Sequence, residues 1–274
     1  VFAGLLSIPE AVLLGLVEGI TEFLPISSTG HLLIVGQLIG LGDGNNSTAI
    51  DTYSIAIQFG AILAIVWLYR MRLLSMIRGV VGADVVGRRT VINLAVAFLP
   101  AAIIGFGAGD AIKNALFGPV PIVFAWAVGG LFLIRWRPPT GSITVDLLTP
   151  RMAFVIGFAQ VLAMWPGVSR SLVTLIAALA LGMTMSAALE FSFLLGLITL
   201  SAATFLDMAK HGGEVIDTFG LLSPTVGLVV AFVTALIAVK WLVTYLEKHS
   251  LAIFGWYRIA IAIICGVLLL TNTL

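Results

Sequence analysis

The chain has 274 residues, of which 60% are hydrophobic and only 10% charged, and its mean hydropathy is +1.16. Soluble domains carry roughly a quarter charged residues, so the composition excludes a soluble globule and indicates an integral membrane protein. A net charge of +1 offers no footprint for nucleic acid, and a single cysteine, Cys265, excludes a disulfide framework or a cysteine-ligated metal.

The opening stretch from Val1 lacks the basic n-region and small-residue cleavage site of a signal peptide. The first apolar region, 8–41, breaks at Pro25-Ile26-Ser27-Ser28-Thr29-Gly30. Its arms, about 11 to 17 residues each, reach about 16 to 25 Å as helix, short of a hydrocarbon core of about 30 Å. The region therefore reads as a re-entrant helical hairpin. Spanning helices are expected at 50–69, 91–109 and 118–136. A second broken region, 152–182, is interrupted at Pro166-Gly167-Val168-Ser169-Arg170-Ser171, and further spans are expected at 187–206, 222–243 and 251–271. The expected fold is an all-α polytopic membrane protein forming one domain over 1–274, with six transmembrane helices and two re-entrant hairpins.

Basic residues set the orientation. The segments 70–89, 135–151 and 240–250 hold ten of the fourteen Lys and Arg, which assigns them to the cytoplasmic side. The hairpins then enter from opposite leaflets, each followed by three crossings, and both termini lie outside. This predicts an inverted-topology repeat, about 7–136 and about 151–272. Weak echoes agree: Gly15-x-x-Glu18 with Gly157-x-x-Gln160, Pro25-Ile-Ser-Ser with Pro166-Gly-Val-Ser, and Ile57-Gln58-Phe59 with Leu189-Glu190-Phe191. Inverted repeats place binding sites near the midplane, where broken helices meet.

The polar residues concentrate at the two breaks. Glu18 and Glu22, four apart, share a helix face. Intramembrane acids are costly and point to function; the pair reads as a divalent-cation site, an acid/base pair, or neutral structural hydrogen-bonders. Ser27, Ser28 and Thr29 are expected to precede a helix starting near His31, and Ser169 and Ser171 another starting near Leu172. Such residues cap helices, and an N-terminus aimed at a break is also an anion site. Arg170 adds a cation suited to phosphate, unless it merely pairs with Glu190 or Glu22. His31 reads either as a packing residue or as a base or nucleophile with Glu22 accepting from one ring nitrogen and the other left free. His211 and His249 are expected in aqueous connections. Gln58, Glu190 and Gln160 are expected to brace the tips. Carboxylates for a metal, helix N-termini and an arginine for an anion, and a histidine with serines together suit metal-assisted phosphoryl transfer on a substrate with a phosphate head and a lipid tail. The competing expectation is a lipid-phosphate flippase or transporter that binds at a midplane anion site without hydrolysis.

The segments EGITEFLPISSTGH and PGVSRSLVT resemble the two signature regions of the bacterial undecaprenyl pyrophosphate phosphatase family, the bacitracin-resistance type, and the resemblance extends over nearly the whole chain. It implies hydrolysis of undecaprenyl diphosphate to the monophosphate, which recycles the carrier lipid for peptidoglycan synthesis, cell-wall biogenesis and cell shape. It also implies a location in the bacterial inner or plasma membrane, a site open to the periplasmic face, dependence on a divalent cation (Mg²⁺ or Ca²⁺), and bacitracin tolerance; it leaves a homodimer open. Carried over by motif, Glu18 and Glu22 form the acidic, metal-holding pair. Ser27, Ser28 and His31 form the catalytic tip with Glu22, and Thr29, Ser169, Arg170, Ser171 and Thr174 hold the diphosphate. Three nucleophiles stay open: His31 first, then Ser28, then a metal-bound water.

Overall fold

The computed structural model describes residues 6–41, 47–271 and 274; the side chains of 47–52, 110, 211, 212 and 214–217 fall outside the described part, and with them the expected setting of His211. No β-strand occurs among the described residues, only one isolated bridge between Ile143 and Met183. The first helix, α1 (Ile8–Thr21), begins with a capping box. The Ser7 hydroxyl accepts from the Glu10 N–H at 3.4 Å, and the Glu10 carboxylate accepts from the Ser7 N–H at 2.7 Å. Pro9 sits in the first turn, where its missing N–H is not needed. The chain breaks after Thr21 and restarts as α2 (Ser28–Leu38).

Next come α3 (Ser47–Leu68), α4 (Arg70–Val80), α5 (Val85–Leu116) and α6 (Pro119–Arg135). The second broken region follows as α7 (Pro150–Gln160), a 3₁₀ turn (Val161–Met164) and α8 (Arg170–Ala180), and then α9 (Met185–Phe219), α10 (Leu222–Leu246) and α11 (Ala252–Leu270). Each expected span falls on a helix, but length divides them. Among the described residues α5, α9, α10 and α11 are each long and apolar enough to cross a membrane. α3 and α4 make a fifth candidate only as a pair bent by 80° at Tyr69. The two arms differ in character, since Arg70, Arg72 and Arg78 make α4 far more polar than α3. α6, with 17 residues, extends about 25 Å at 1.5 Å per residue, less than the bilayer core.

Lipid tails give no hydrophobic drive for helices to associate, so close backbone packing through small residues carries much of it. α1 lies against α10 in this way: a Cβ on Gly15 would meet the Gly227 carbonyl oxygen at 2.5 Å, so only glycine fits. The helix pairing is reciprocal. α1 packs on α10 while α7 packs on α5, and α3 meets α9 while α6 meets α11. At the end carrying α4, Arg72 ties three elements together, donating to Asp146 at 2.8 Å and to Glu190 of α9 at 2.6 Å. Two of the basic segments thus meet on one side.

Gly15→Leu is expected to weaken the fold by about 1–3 kcal/mol through overpacking. Gly36→Ala, where a Cβ has no neighbour within 4 Å, should leave stability unchanged. Thermal unfolding of both variants in detergent checks this; equal melting temperatures would refute the packing account.

Candidate functional site

Both broken helices restart at a serine with positive φ, Ser27 at 73° and Ser169 at 76°, with ψ of 98° and 114°. Among the described residues these are the only non-glycine positive-φ positions. Such backbone costs about 1–3 kcal/mol per residue and persists where surroundings over-determine it. Because the serine itself makes the turn, the helices start earlier than expected, at Ser28 rather than near His31 and at Arg170 rather than near Leu172. Ser28, Thr29 and Ser171 therefore lie in first turns instead of preceding them. The Ser169 hydroxyl accepts from the Leu172 N–H at 3.3 Å, whereas Ser27 makes no side-chain cap.

The two tips meet. Gly167 N–H donates to Ser27 Oγ at 3.1 Å, Ser171 Oγ–H donates to the Leu24 carbonyl at 2.9 Å, and Arg170 Nη2 reaches Glu22 Oε1 at 3.1 Å. The Glu22 side chain is 4% exposed and that of Arg170 12% exposed, so this ion pair is shielded from solvent. The other Glu22 oxygen, Oε2, accepts from the Ser28 hydroxyl. Gly196 leaves room for the guanidinium, which also donates to the Ser192 carbonyl at 3.3 Å and lies 5.7 Å from the Phe23 ring.

His31 is placed otherwise than expected. Its Nδ1 donates to the Ser27 carbonyl at 2.7 Å, which leaves Nε2 to accept from the Tyr257 hydroxyl at 2.8 Å. Both ring nitrogens are engaged, neither by Glu22, whose carboxylate instead accepts from the Ser28 hydroxyl and Arg170. The ring also packs against Trp126. Glu190 is turned to Arg72 and braces no tip. Thr174 bonds within α8 and to Ser192 Oγ, at 2.6 Å in the latter case. His249 is exposed and stacks on Tyr245.

Two joined cavities open from the tips. One, of about 300 Å³, is walled by Glu22, Ser27, Ser169, Arg170, Gln160 and their neighbours. The other, of about 350 Å³, runs from Glu18 along Leu32 and Leu33 of α2 to Lys113 and Phe117. Ser28, Thr29 and Gln58 border both. Neither His31, Ser171 nor Thr174 lines them. Glu18 is fully buried beside Glu22, and among the described residues no other group bonds to either of its oxygens. Gln160, 3% exposed, has both amide atoms unpartnered, as is Arg170 Nε.

Comparison with known proteins settles the family. The model of the family described as bacitracin resistance protein BacA matches residues 11–264. The chain is 45% identical over 259 residues to the undecaprenyl-diphosphatase of Sorangium cellulosum, covering 92% of this chain and 83% of that one. It is 46% identical over 259 residues to undecaprenyl-diphosphatase 2 of Rhodospirillum rubrum, covering 93% and 92%. With the undecaprenyl-diphosphatase of Methylococcus capsulatus the identity is 44% over 263 residues, covering 93% and 92%.

The chain belongs to the bacitracin resistance protein BacA family.

Around this BacA-family site, sequence reading gave no role to Arg258 or Tyr257. Arg258 is fully buried, and its guanidinium donates to four carbonyls: Pro25 at 3.3 Å and Ala125 at 2.9 Å, and on the second tip Gly167 at 2.7 Å and Val168 at 3.2 Å. Gly129 makes room for it. An arginine deep in an apolar run is itself the signal, since an intramembrane cation needs named partners. Trp126 adds a bond from Nε1 to the Ile26 carbonyl at 2.9 Å.

Arg258→Met should destabilise the protein by at least ~3 kcal/mol, since buried carbonyls lose their donors. Arg72→Met, in two ion pairs whose side chains are 20–47% exposed, should cost less than about 1 kcal/mol for each pair, since Asp146 and Glu190 stay within reach of solvent. Denaturation of the two variants side by side reads the difference; a milder loss at Arg258 would refute its bridging role.

Proposed function

We propose that this chain hydrolyses undecaprenyl diphosphate to undecaprenyl phosphate and inorganic phosphate. The observation that carries the reading is the chain of contacts from the Ser28 hydroxyl to Glu22 to Arg170 at the wall of an open cavity, in a protein closely similar to named undecaprenyl-diphosphatases. A hydroxyl hydrogen-bonded to a carboxylate is a nucleophile beside its base. It sits in the first turn of α2, an 11-residue helix whose N-terminus has no side-chain cap and so presents N–H groups to an anion.

The terminal phosphate rests between the start of α2 and Arg170. Ser28 Oγ attacks the terminal phosphorus and its proton passes to Glu22. The anhydride P–O bond breaks, and undecaprenyl phosphate leaves with the electron pair. Water then attacks the phosphoserine phosphorus. Glu22 returns its proton to Ser28 Oγ as the ester bond breaks, and dihydrogen phosphate departs with both hydrogens of the water. Arg170 balances charge on the phosphoryl oxygens throughout, the dominant contribution in phosphoryl transfer. His31, held by Ser27 and Tyr257, fixes the backbone from which Ser28 projects. The residues fit a hard divalent cation: among the described residues no three His, Cys, Asp or Glu cluster, but the orphaned Glu18 carboxylate lines the cavity beside hydroxyl and amide oxygens. Glu18 and Glu22 would hold it, and a bound Mg²⁺ or Ca²⁺ would neutralise charge on the diphosphate.

The tail leaves along the apolar wall of Leu32, Leu33 and Phe117. α1, α2, α7 and α8, with 14 and 11 and 11 and 11 residues, form two re-entrant hairpins. Their reciprocal packing on α10 and α5 supports an inverted repeat in the inner membrane of a bacterium. The basic segments lie on the cytoplasmic side, the site opens to the periplasmic face, and both termini lie outside.

Detergent-purified protein should release phosphate from undecaprenyl diphosphate. Ser28→Ala should lower kcat by about 10³-fold or more, and Glu22→Gln by about 10²-fold. Mass spectrometry after rapid quench should find phosphate on Ser28; full activity in Ser28→Ala would end this assignment. A chelator should abolish turnover and added Mg²⁺ or Ca²⁺ restore it, while chelated enzyme at full rate would remove the cation from the scheme.

A further inference from the structure

Glu18 and Gln160 each stand nine residues before the positive-φ serine of their tip. Each is buried; the Glu18 head meets only Glu22, and the Gln160 head has no hydrogen-bond partner among the described residues. A buried amide without partners costs about 1–3 kcal/mol and needs a reason. Gln160 is the last residue of α7, and its side chain lines the cavity that Arg170, Ser169 and Glu22 also line. Two sets of buried donors are unused among the residues that line it, the Gln160 amide N–H groups and the Arg170 Nε–H. A carboxylate at this position would repel an anion beside Arg170. The neutral amide admits one and donates to it.

We propose that Gln160 is a phosphate ligand: its amide, with Arg170 Nε–H, forms a donor subsite that holds the terminal phosphate of the lipid substrate and then the inorganic phosphate released from it. The matching position in the neighbouring lobe is Glu18. For its lipid substrate this subsite rests on the phosphatase reading above; for free phosphate it does not.

The test uses full-length protein in detergent with Gln160→Glu, which keeps size and shape, and Gln160→Leu, which removes the donors. One arm measures binding of inorganic phosphate directly, by its effect on melting temperature at fixed ionic strength. The other measures KM for undecaprenyl diphosphate and the competitive Ki for phosphate. Wild-type protein should bind phosphate. Both variants should raise Ki and KM, about tenfold for Leu and more for Glu, with kcat changed much less. A structural role alone would lower melting temperature and kcat and leave KM and Ki in place, which would overturn the proposal. So would wild-type KM and Ki in Gln160→Glu, and so would phosphate that stabilises wild type and both variants equally. If wild-type protein releases no phosphate, the phosphatase reading falls and the binding arm alone decides the subsite. If Gln160→Leu does not fold, Gln160→Glu decides it.

Discussion

Backbone that leaves the helical path where no water can reach it must find hydrogen bonds in the protein. The two breaks, at 22–27 and 165–169, set this constraint. Neither tip meets it alone. Leu24 and Pro25 on the first tip are satisfied by Ser171 and Arg258, and Gly167 and Val168 on the second by Ser27 and Arg258. Each break is completed by the other and by one arginine from α11. The two positive-φ serines endure because this mutual bonding leaves the chain no easier path.

Charge obeys the same economy. Arg170 and Glu22 neutralise one another across the tips, so the shielded pair carries no net charge. Breaking either would strand its partner. The Ser28 hydroxyl then uses the second carboxylate oxygen, which couples the nucleophile proposed above to that ion pair. What remains unpaired is the informative part. Glu18, the Gln160 amide and Arg170 Nε are buried polar groups that the protein leaves unsatisfied. Native interiors rarely do so without a ligand or a water to answer them.

Several of these features were legible in the chain. The two interrupted apolar regions, the acids at Glu18 and Glu22, and the arginine at Arg170 stand out against an apolar background, because burying such groups costs too much to be incidental. Partners were less legible. His31 meets Tyr257, 226 residues away, and no local pattern announces that contact. Glu190 echoes Gln58 in sequence yet turns to Arg72, because an arginine within reach outweighs a repeat position. Helix starts shifted by two or three residues, since a serine in the left-handed region leaves no mark that separates it from an ordinary cap. Length could be read, but the 80° bend at Tyr69 and the short α6 show that an apolar run does not by itself make a spanning helix.

The two tips share a backbone and differ in chemistry. Each restarts a helix of 11 residues from a left-handed serine. Where the first tip has Glu22, five residues before that serine, the second has Met164, and where the first has Ser28, directly after it, the second has Arg170. The proposed repeat therefore supplies one cradle twice, and the residues it carries divide the labour: the proposed base and nucleophile on one side, the cation on the other. Two acidic tips in contact would repel each other, and two cationic tips would bind phosphate with nothing to attack it. Only the mixed pair both closes without a net charge and suits the reaction path proposed for the seam.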